Sequence, residues 1–173
     1  MPNSDAPRYR IRGIPAPLIE RMWPFAEPYV KRALDHASGE IDANNLREWC
    51  IERDVQLWLV SAADRVVGAA TTEIVIYPHK KHCRVITIAG SGFAEWVGDM
   101  DATLATWAQA QGCDALEAHV RRGFVQRLAP LGYKHLHSVV VKELPRIMTQ
   151  QEGVQDGQEE PGRRPNADDS TES

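Results

Sequence analysis

Residues 84–101 read RVITIAGSGFAEWVGDMD, a strand-like run that passes through two glycines into a helix-like segment. The run 85–88 is rich in β-branched residues, which favours a strand. From Phe93 onward, apolar residues recur every three or four positions, which predicts an amphipathic helix. A strand that leads through glycines into a helix N-terminus can bind phosphate with backbone N–H groups. Gly90 and Gly92 could equally form a tight turn that needs a positive φ.

The last 25 residues, 149–173, differ in composition from the rest of the chain. They contain seven acids, two arginines and no aromatic residue, isoleucine or leucine. Such a segment cannot bury enough apolar surface to offset the entropy of ordering. The sequence therefore predicts one globular domain over residues 1–148 and a disordered acidic tail over 149–173. The tail carries a net charge of −5 and the whole chain −4, so the domain is close to neutral, which argues against nucleic acid as the main ligand.

Cysteine usage and hydropathy indicate the compartment. Cys50, Cys83 and Cys113 are an odd, widely spaced set without a CxxC motif, which is typical of a reducing compartment and not of a disulfide framework or zinc site. His135 and His137 share a strand face but have no evident third ligand, so no metal is expected. Neither a signal peptide nor a membrane-spanning run is evident, which predicts a cytoplasmic protein without a membrane partner.

Hydrophobic periodicity predicts the element order β-α-α-β-β-β-α-β-α-β. The predicted elements are an initial strand near 8–14, helices over 16–37 and 42–54, strands over 56–61, 66–78 and 83–90, a helix over 93–111, a strand over 114–120, a helix over 123–133 and a last strand over 135–144. Asp42 is the expected N-cap of the second helix. Pro24 and Pro28 are expected to break or kink the first. That helix is expected to bury Leu18, Met22, Phe25, Tyr29 and Ala33.

The tryptophans are expected to fill the core. Trp96 and Trp107 lie on the apolar stripe of the helix that begins at Phe93, and Trp58 lies on the first strand of the β-hairpin that the strands over 56–61 and 66–78 are predicted to form. Cys50 and Cys113 are interpreted as small apolar core residues. Cys83 has no partnered histidine in the sequence, so a nucleophilic role is not expected.

The element order and the segment 85–144 resemble the GNAT superfamily of acyl-CoA-dependent N-acyltransferases. The resemblance covers about residues 10–144, and it implies an α/β fold with a mixed, mostly antiparallel central sheet and helices on both faces. More narrowly, the chain is similar to GNAT-like proteins of tailed bacteriophages and prophages. The motifs that carry this similarity are Trp96 early in a helix, Gly112-Cys113, Arg121-Arg122-Gly123-Phe124 and Leu131-Gly132-Tyr133.

The resemblance also implies a cofactor, acetyl-CoA or another acyl-CoA, and its site. The pantetheine arm would pair with the exposed edge of the strand over 84–89, and the pyrophosphate would bind backbone N–H groups at the start of the next helix. The candidate cofactor-binding residues are Ile88, Ala89, Gly90, Ser91, Gly92, Phe93 and Arg121. Arg121 follows a parallel-type strand, where open sheets bind ligands. Glu73, on the preceding strand, is the candidate base for the acceptor amine.

The sequence departs from the family pattern at three positions. No Arg or Gln precedes Gly90, and Glu95 places a carboxylate in the first helical turn, where a pyrophosphate would bind. Leu128 stands where many members have a tyrosine that protonates the departing thiolate. Two hypotheses therefore remain open. The chain is an N-acyltransferase for an amine of a small molecule or a protein, or it is a GNAT-fold phage protein that has lost the cofactor and catalysis. In the second case it binds a structural partner, in the host cytoplasm or the virion.

Overall fold

A computed structural model describes residues 8–35, 39–120 and 122–144 of the chain. The chain divides into two units, residues 1–136 and 137–173. Arg121 and the predicted acidic tail over 149–173 lie outside the described residues, as does the expected domain boundary at 148. The first unit contains all the helices and strands that the structure describes.

The first unit is a five-stranded mixed sheet with helices. Its elements are β1 (Tyr9–Ile14), a 3-10 turn (Ala16–Leu18), α1 (Ile19–Leu34), α2 (Ala43–Glu52), β2 (Val55–Ala62), β3 (Arg65–Ile76), β4 (Lys81–Gly90), α3 (Phe93–Ala110), β5 (Ala115–Ala118), α4 (Arg122–Leu128) and a second 3-10 turn (Ala129–Leu131). The strand order is β1-β2-β3-β4-β5. Every neighbouring pair is antiparallel except β4 and β5, which are parallel. The predicted mixed, mostly antiparallel α/β fold is confirmed.

The sheet separates two hydrophobic clusters, one on each face. The cluster beneath α1 and α2 contains Ile19, Trp23, Val30, Leu46, Leu57 and Leu59. The cluster beneath α3 contains Trp58, Val60, Val85, Trp96, Met100 and Leu104. Period-two alternation along β2 explains the arrangement, because Leu57 and Leu59 face one cluster while Trp58 and Val60 face the other. Helices therefore cover both faces, as predicted.

Helix α1 differs from the sequence prediction in two ways. Pro24 and Pro28 lie inside one continuous helix, so they do not break it, while the kink that was the other expectation stays a prediction. The predicted buried face is only partly right, because Met22 and Tyr29 pack against the core whereas Leu18 and Phe25 are 43% and 54% exposed. The sequence has two neighbouring apolar stripes with the same three-and-four spacing, and packing on the sheet selects the one that contains Trp23. The buried residues of the helix are Ile19, Trp23, Ala26 and Val30, and burial of that face offsets the hydrogen bonds that the prolines cannot donate.

Helix α2 begins as the sequence predicts. The Asp42 carboxylate accepts a hydrogen bond from the Asn45 backbone N–H at 2.9 Å, and the Asn45 side chain accepts one from the Asp42 N–H at 3.0 Å. This reciprocal pair satisfies two N–H groups that would otherwise lack partners. Leu46 and Cys50 are buried on the inner face.

Among the predicted core residues, Trp58, Trp96 and Cys50 are buried. Trp58 donates its indole N–H to Thr72 Oγ1 at 2.9 Å and packs edge-on against Trp107 at 5.3 Å between ring centroids. The predicted packing roles are therefore confirmed. Cys113 is half-buried, so its assignment to the core was only partly right.

The predicted last strand is not present. Residues 135–144 have no regular secondary structure, and Val139, Val140 and Val141 are 72%, 91% and 74% exposed. Alternating apolar and polar residues indicate strand periodicity, but a strand also needs a neighbour that supplies hydrogen bonds along its edge. β5 is also shorter than the predicted strand over 114–120, since it ends at Ala118. None of the described helices combines the length and apolar character that a bilayer span requires.

Candidate cofactor cleft and adjoining polar row

β4 and β5 pair for only part of the length of β4. Their parallel register runs from His82 opposite Ala115 to Val85 opposite Ala118, whereas β4 continues to Gly90. Along residues 86–90, therefore, β4 has a strand neighbour on the β3 side only, within the described part of the chain. Backbone N–H and C=O groups on such a free edge can pair with an extended ligand that contains amides.

A bulge lies where the two strands separate. Thr72 of β3 pairs with Val85, while Thr71 pairs with Thr87, so Ile86 is the additional residue on β4. A bulge bends its strand and interrupts the regular ladder. The hydroxyl groups of Thr71 and Thr87 are 2.7 Å apart in the buried sheet next to the bulge.

A cleft opens beside the free edge of β4. It holds about 520 Å³ of empty space, including the part that is open to solvent. Its lining residues come from β4, α3, the end of β5 and the segment around α4, and most of them are apolar: Val85, Ile86, Ile88, Phe93, Val97, Met100, Asp101, Leu104, Ala118, His119, Val120, Phe124, Leu128, Leu131 and Tyr133. The arrangement suits an elongated molecule with an apolar stem.

Packing accounts for the first glycine of the Gly-Ser-Gly loop. A Cβ on Gly90 would lie 2.7 Å from Gly68 Cα, from Trp96 Cζ2 and from the Val67 carbonyl oxygen, which is closer than atoms can approach. The next residue, Ser91, has both its backbone N–H and its backbone carbonyl hydrogen-bonded within the protein. The Ser91 N–H donates to the Val67 carbonyl at 2.8 Å, and the Ser91 carbonyl accepts from the Trp96 indole at 2.8 Å. The Ser91 N–H is therefore already engaged within the protein.

Gly92 and Glu95 form the start of α3. Gly92 is the N-cap with a φ of 65°, which is the positive φ that the turn interpretation required. The Glu95 carboxylate forms an ion pair with Arg8 and accepts a hydrogen bond from the Tyr9 hydroxyl at 3.1 Å. A Cβ on Gly92 would lie 3.6 Å from Glu95 Oε1, so the carboxylate lies against the loop. A negative charge there complements the helix dipole.

Two phenylalanines bring α3 and α4 together at the cleft. The Phe93 ring lies 5.5 Å from the Phe124 ring, between centroids, in an edge-to-face contact, and Phe93 also contacts Trp96 at 4.9 Å. Both phenylalanines line the cleft. Their contact therefore lies at the wall of the cleft, directly after the Gly-Ser-Gly loop.

A row of charged residues crosses the sheet just before the strands separate. Glu73 of β3 is opposite Arg84 of β4, which is opposite Glu117 of β5. Arg84 contacts Glu73 through Nη1 at 3.2 Å and Glu117 through Nε at 2.8 Å. Because the adjacent Val85 packs in the α3 cluster, the row lies on the α1 side of the sheet. We call Glu73, Arg84 and Glu117 the polar row.

Glu117 is the most heavily contacted carboxylate of the polar row. Oε2 accepts from the Tyr77 hydroxyl at 3.0 Å and lies 2.9 Å from His82 Nδ1, while Oε1 lies 3.0 Å from His119 Nε2. Partial burial raises the pKa of this carboxyl, but the hydrogen bonds from His82, Arg84 and Tyr77 and the charge of Arg84 outweigh it and lower the pKa to about 2. Glu117 is therefore ionised at neutral pH.

The predicted site residues lie in different parts of the structure. Ile88 and Phe93 line the cleft, the Gly-Ser-Gly loop adjoins it, and Glu73 lies in the polar row. Arg121 is outside the described residues. Burial raises the pKa of Cys83 to about 11, which agrees with a structural role for this thiol. Within the described ranges, no group of three or more His, Cys, Asp and Glu residues is arranged to hold a metal ion.

The sequence interpretation missed Glu117 and His119 as site residues. The two-residue spacing in EAH (117–119) could have indicated a carboxylate and an imidazole on one face of the strand. Arg84 was considered only as a backbone position. The strand register places its side chain between two carboxylates, Glu73 and Glu117.

Solved structures with a similar fold include several acetyltransferases. An aminoglycoside acetyltransferase from an uncultured soil metagenomic sample, in complex with trehalose, has a TM-score of 0.58 and 9% identity, covering 81% of this chain and 97% of the other. AAC(6')-Iy in complex with the bisubstrate analogue CoA-S-monomethyl-acetylneamine has a TM-score of 0.59 and 16% identity, covering 81% and 100%. A predicted acetyltransferase from Clostridium acetobutylicum with acetyl-CoA has a TM-score of 0.57 and 10% identity, covering 78% and 96%. No protein-family model and no curated protein matches the sequence.

These likenesses define the class of fold. The chain has the fold of the GNAT acetyltransferases, as the sequence resemblance implied. Because sequence identity to these structures is at most 16%, the similarities show the fold alone, since one fold can host several functions.

Proposed function

We propose that this protein is an acyl-CoA-dependent N-acyltransferase that binds acetyl-CoA or another acyl-CoA in the cleft beside β4. The observation that carries the proposal is the separation of β4 from β5 after Val85 and Ala118, which leaves the edge over 86–90 free beside a mostly apolar cleft. A pantetheine arm has two amides on a flexible apolar chain, so it matches both the edge and the cleft.

The proposal assigns a part of the cofactor to each element. Backbone groups of Ile88 and Ala89 pair with the pantetheine amides. The pyrophosphate lies at the Gly90–Phe93 loop, where Arg8 could exchange its ion pair with Glu95 for a phosphate. Arg121 follows the end of β5 and is assigned to the cofactor phosphates. Each assignment uses either backbone groups or a charge opposite to that of the cofactor.

The chemistry proposed is direct transfer of the acyl group to an amine. The nitrogen must lose a proton as it attacks the thioester carbonyl, and Glu73 is the proposed base, acting directly or through a water molecule. Glu73 is about one-third exposed and lies in the polar row near the point where β4 and β5 separate, so solvent-borne protons can reach it. The acceptor is proposed to be an amine of a small molecule or a protein in the cytoplasm.

Calorimetric titration with acetyl-CoA tests the proposal. We expect the wild type to bind, and Glu95→Gln to bind about fivefold more tightly, because removing one like charge near a phosphate is worth about 1 kcal/mol in water. Asp99→Asn is the matched control, since Asp99 is an exposed acid one turn further along α3. Its affinity should remain within about twofold of the wild type. Absence of binding at millimolar acetyl-CoA by all three proteins would contradict the enzyme proposal.

A second candidate function is a catalytically inactive GNAT-fold protein that acts as a binding or virion-associated component of a phage, as the sequence resemblance suggests. Three observations favour it: the Phe93 and Phe124 rings are in contact at the wall of the cleft, the Ser91 N–H is engaged by Val67, and Glu95 lies against the loop. If only Glu95→Gln binds acetyl-CoA, the carboxylate has closed an ancestral site and this second function is preferred.

A further inference from the structure

Three titratable side chains line the cleft within the described residues: Asp101, His119 and Tyr133. Two of them are paired with each other. The Tyr133 hydroxyl donates to the Asp101 carboxylate at 2.8 Å, and burial together with this hydrogen bond raises the pKa of Tyr133. The tyrosine proton is therefore held within the protein and is poorly placed for transfer to a ligand. His119 is the remaining candidate to exchange a proton with a molecule in the cleft.

His119 has a defined position and one engaged ring nitrogen. It follows Ala118, the last residue of β5 that pairs with β4, so it lies where the strands begin to separate. Its Nε2 is 3.0 Å from Glu117 Oε1, and its side chain is 58% exposed. A hydrogen bond at Nε2 orients the ring and leaves Nδ1 as the nitrogen available to a bound molecule. Arg84 and Tyr77 hold Glu117 in turn.

We propose that His119 is the general acid that protonates the coenzyme thiolate, and that Glu117 is its positioning residue. This inference rests on the proposed function. The amine nitrogen bonds to the thioester carbonyl carbon, and the amine proton passes to Glu73 or to water. When the tetrahedral intermediate collapses, the carbon–sulfur bond breaks and its electron pair goes to sulfur. The Nδ1 proton of the His119 imidazolium moves to that sulfur, which leaves an amide, a free thiol and a neutral imidazole that solvent reprotonates.

Chemical rescue of His119→Gly tests the assignment. Release of free coenzyme A from acetyl-CoA is followed by chromatography, with water alone and with a panel of aminoglycosides, polyamines and lysine peptides. We expect kcat to fall by about 100-fold or more, because general acid catalysis contributes at least about that factor, with the Kd for acetyl-CoA within about twofold of the wild type. Added imidazole should restore kcat at least tenfold, because it can occupy the vacated, exposed position.

His79→Gly is the matched control, since His79 is an exposed histidine between β3 and β4. It should retain wild-type kcat and show no response to imidazole. If acetyl-CoA does not bind the wild type, the proposed function itself fails. Three results would show that the assignment of His119 is wrong while the cofactor site stands, provided that acetyl-CoA binds the wild type. The first is that His119→Gly keeps wild-type kcat, and the second is that it loses activity without rescue by imidazole. The third is that the wild type releases no thiol above the protein-free rate.

Discussion

Replacing Glu117 by glutamine is expected to remove part of the acid sensitivity of this fold. The folded-state pKa of Glu117 lies at about 2, below its ordinary value of 4.5. A carboxyl with a lowered pKa stabilises the folded state above its unfolded pKa and loses that contribution as the pH falls through the folded pKa. The stabilising contribution of Glu117 is therefore lost as the pH falls from about 5 to about 2. The glutamine side chain cannot take up a proton there, so its contribution stays constant.

The size of the effect follows from the same pKa. A lowering from 4.5 to about 2 corresponds to at most about 3 kcal/mol in the free energy of unfolding. The Glu117 side chain is 20% exposed and its partner Arg84 is 25% exposed, so solvent screening reduces this to about 1–2 kcal/mol. At pH 6 the variant should be less stable than the wild type by that amount, and the difference should shrink toward zero near pH 2.

Urea unfolding followed by tryptophan fluorescence between pH 2.5 and pH 6 measures the difference. Glu52→Gln is the control, because Glu52 is an exposed carboxylate at the end of α2, and its pH dependence should match the wild type. Parallel stability curves for wild type and Glu117→Gln over the whole range would refute the reasoning. In that case the contacts with Arg84, His82 and Tyr77 would not stabilise the ionised carboxylate in solution.

Two further predictions concern packing. Gly90→Ala should lower the free energy of unfolding by about 1–3 kcal/mol, because its Cβ would meet Gly68 and Trp96 at 2.7 Å. Gly98→Ala, in open space on α3, should instead raise it by about 0.5–1 kcal/mol, so equal effects measured by chemical denaturation would contradict the packing account. In the folded protein at pH 8, Cys50 and Cys83 should react with a thiol reagent far more slowly than the half-buried Cys113, because burial raises their pKa values to about 12 and about 11. The reaction rates of the urea-unfolded protein serve as the reference. Equal rates for the three thiols in the folded protein would show that this burial is not maintained in solution.

Local sequence signals predicted the features that depend on local physics. Asp42 begins α2 because its carboxylate can accept a hydrogen bond from an N–H three residues ahead, an interaction that needs no distant residue. The helix after Gly92 follows from its apolar spacing, and the hairpin from its alternation. The family resemblance added a mixed, mostly antiparallel central sheet with helices on both faces, which periodicity alone does not provide.

Prediction from the sequence was less accurate where the local pattern fitted two arrangements equally well. Helix α1 has two apolar stripes, and only packing against β3 and β4 decides that Trp23 is buried and Phe25 is exposed. The segment 135–144 has strand periodicity but no strand, since pairing depends on a neighbour as well as on the pattern. Both errors arise because periodicity describes one element and not its surroundings.

The sequence by itself determined a mixed α/β fold, the glycine loop that joins β4 to α3, and the carboxylate that Glu95 places beside that loop. Only the tertiary structure decided which groups meet at the candidate site. Glu73, Arg84 and Glu117 lie on three strands and share a row because of strand register, and His119 reaches the cleft because β5 ends at Ala118. Register and strand length are set by packing of the whole sheet, so residues distant in the chain become neighbours through interactions that no local pattern contains.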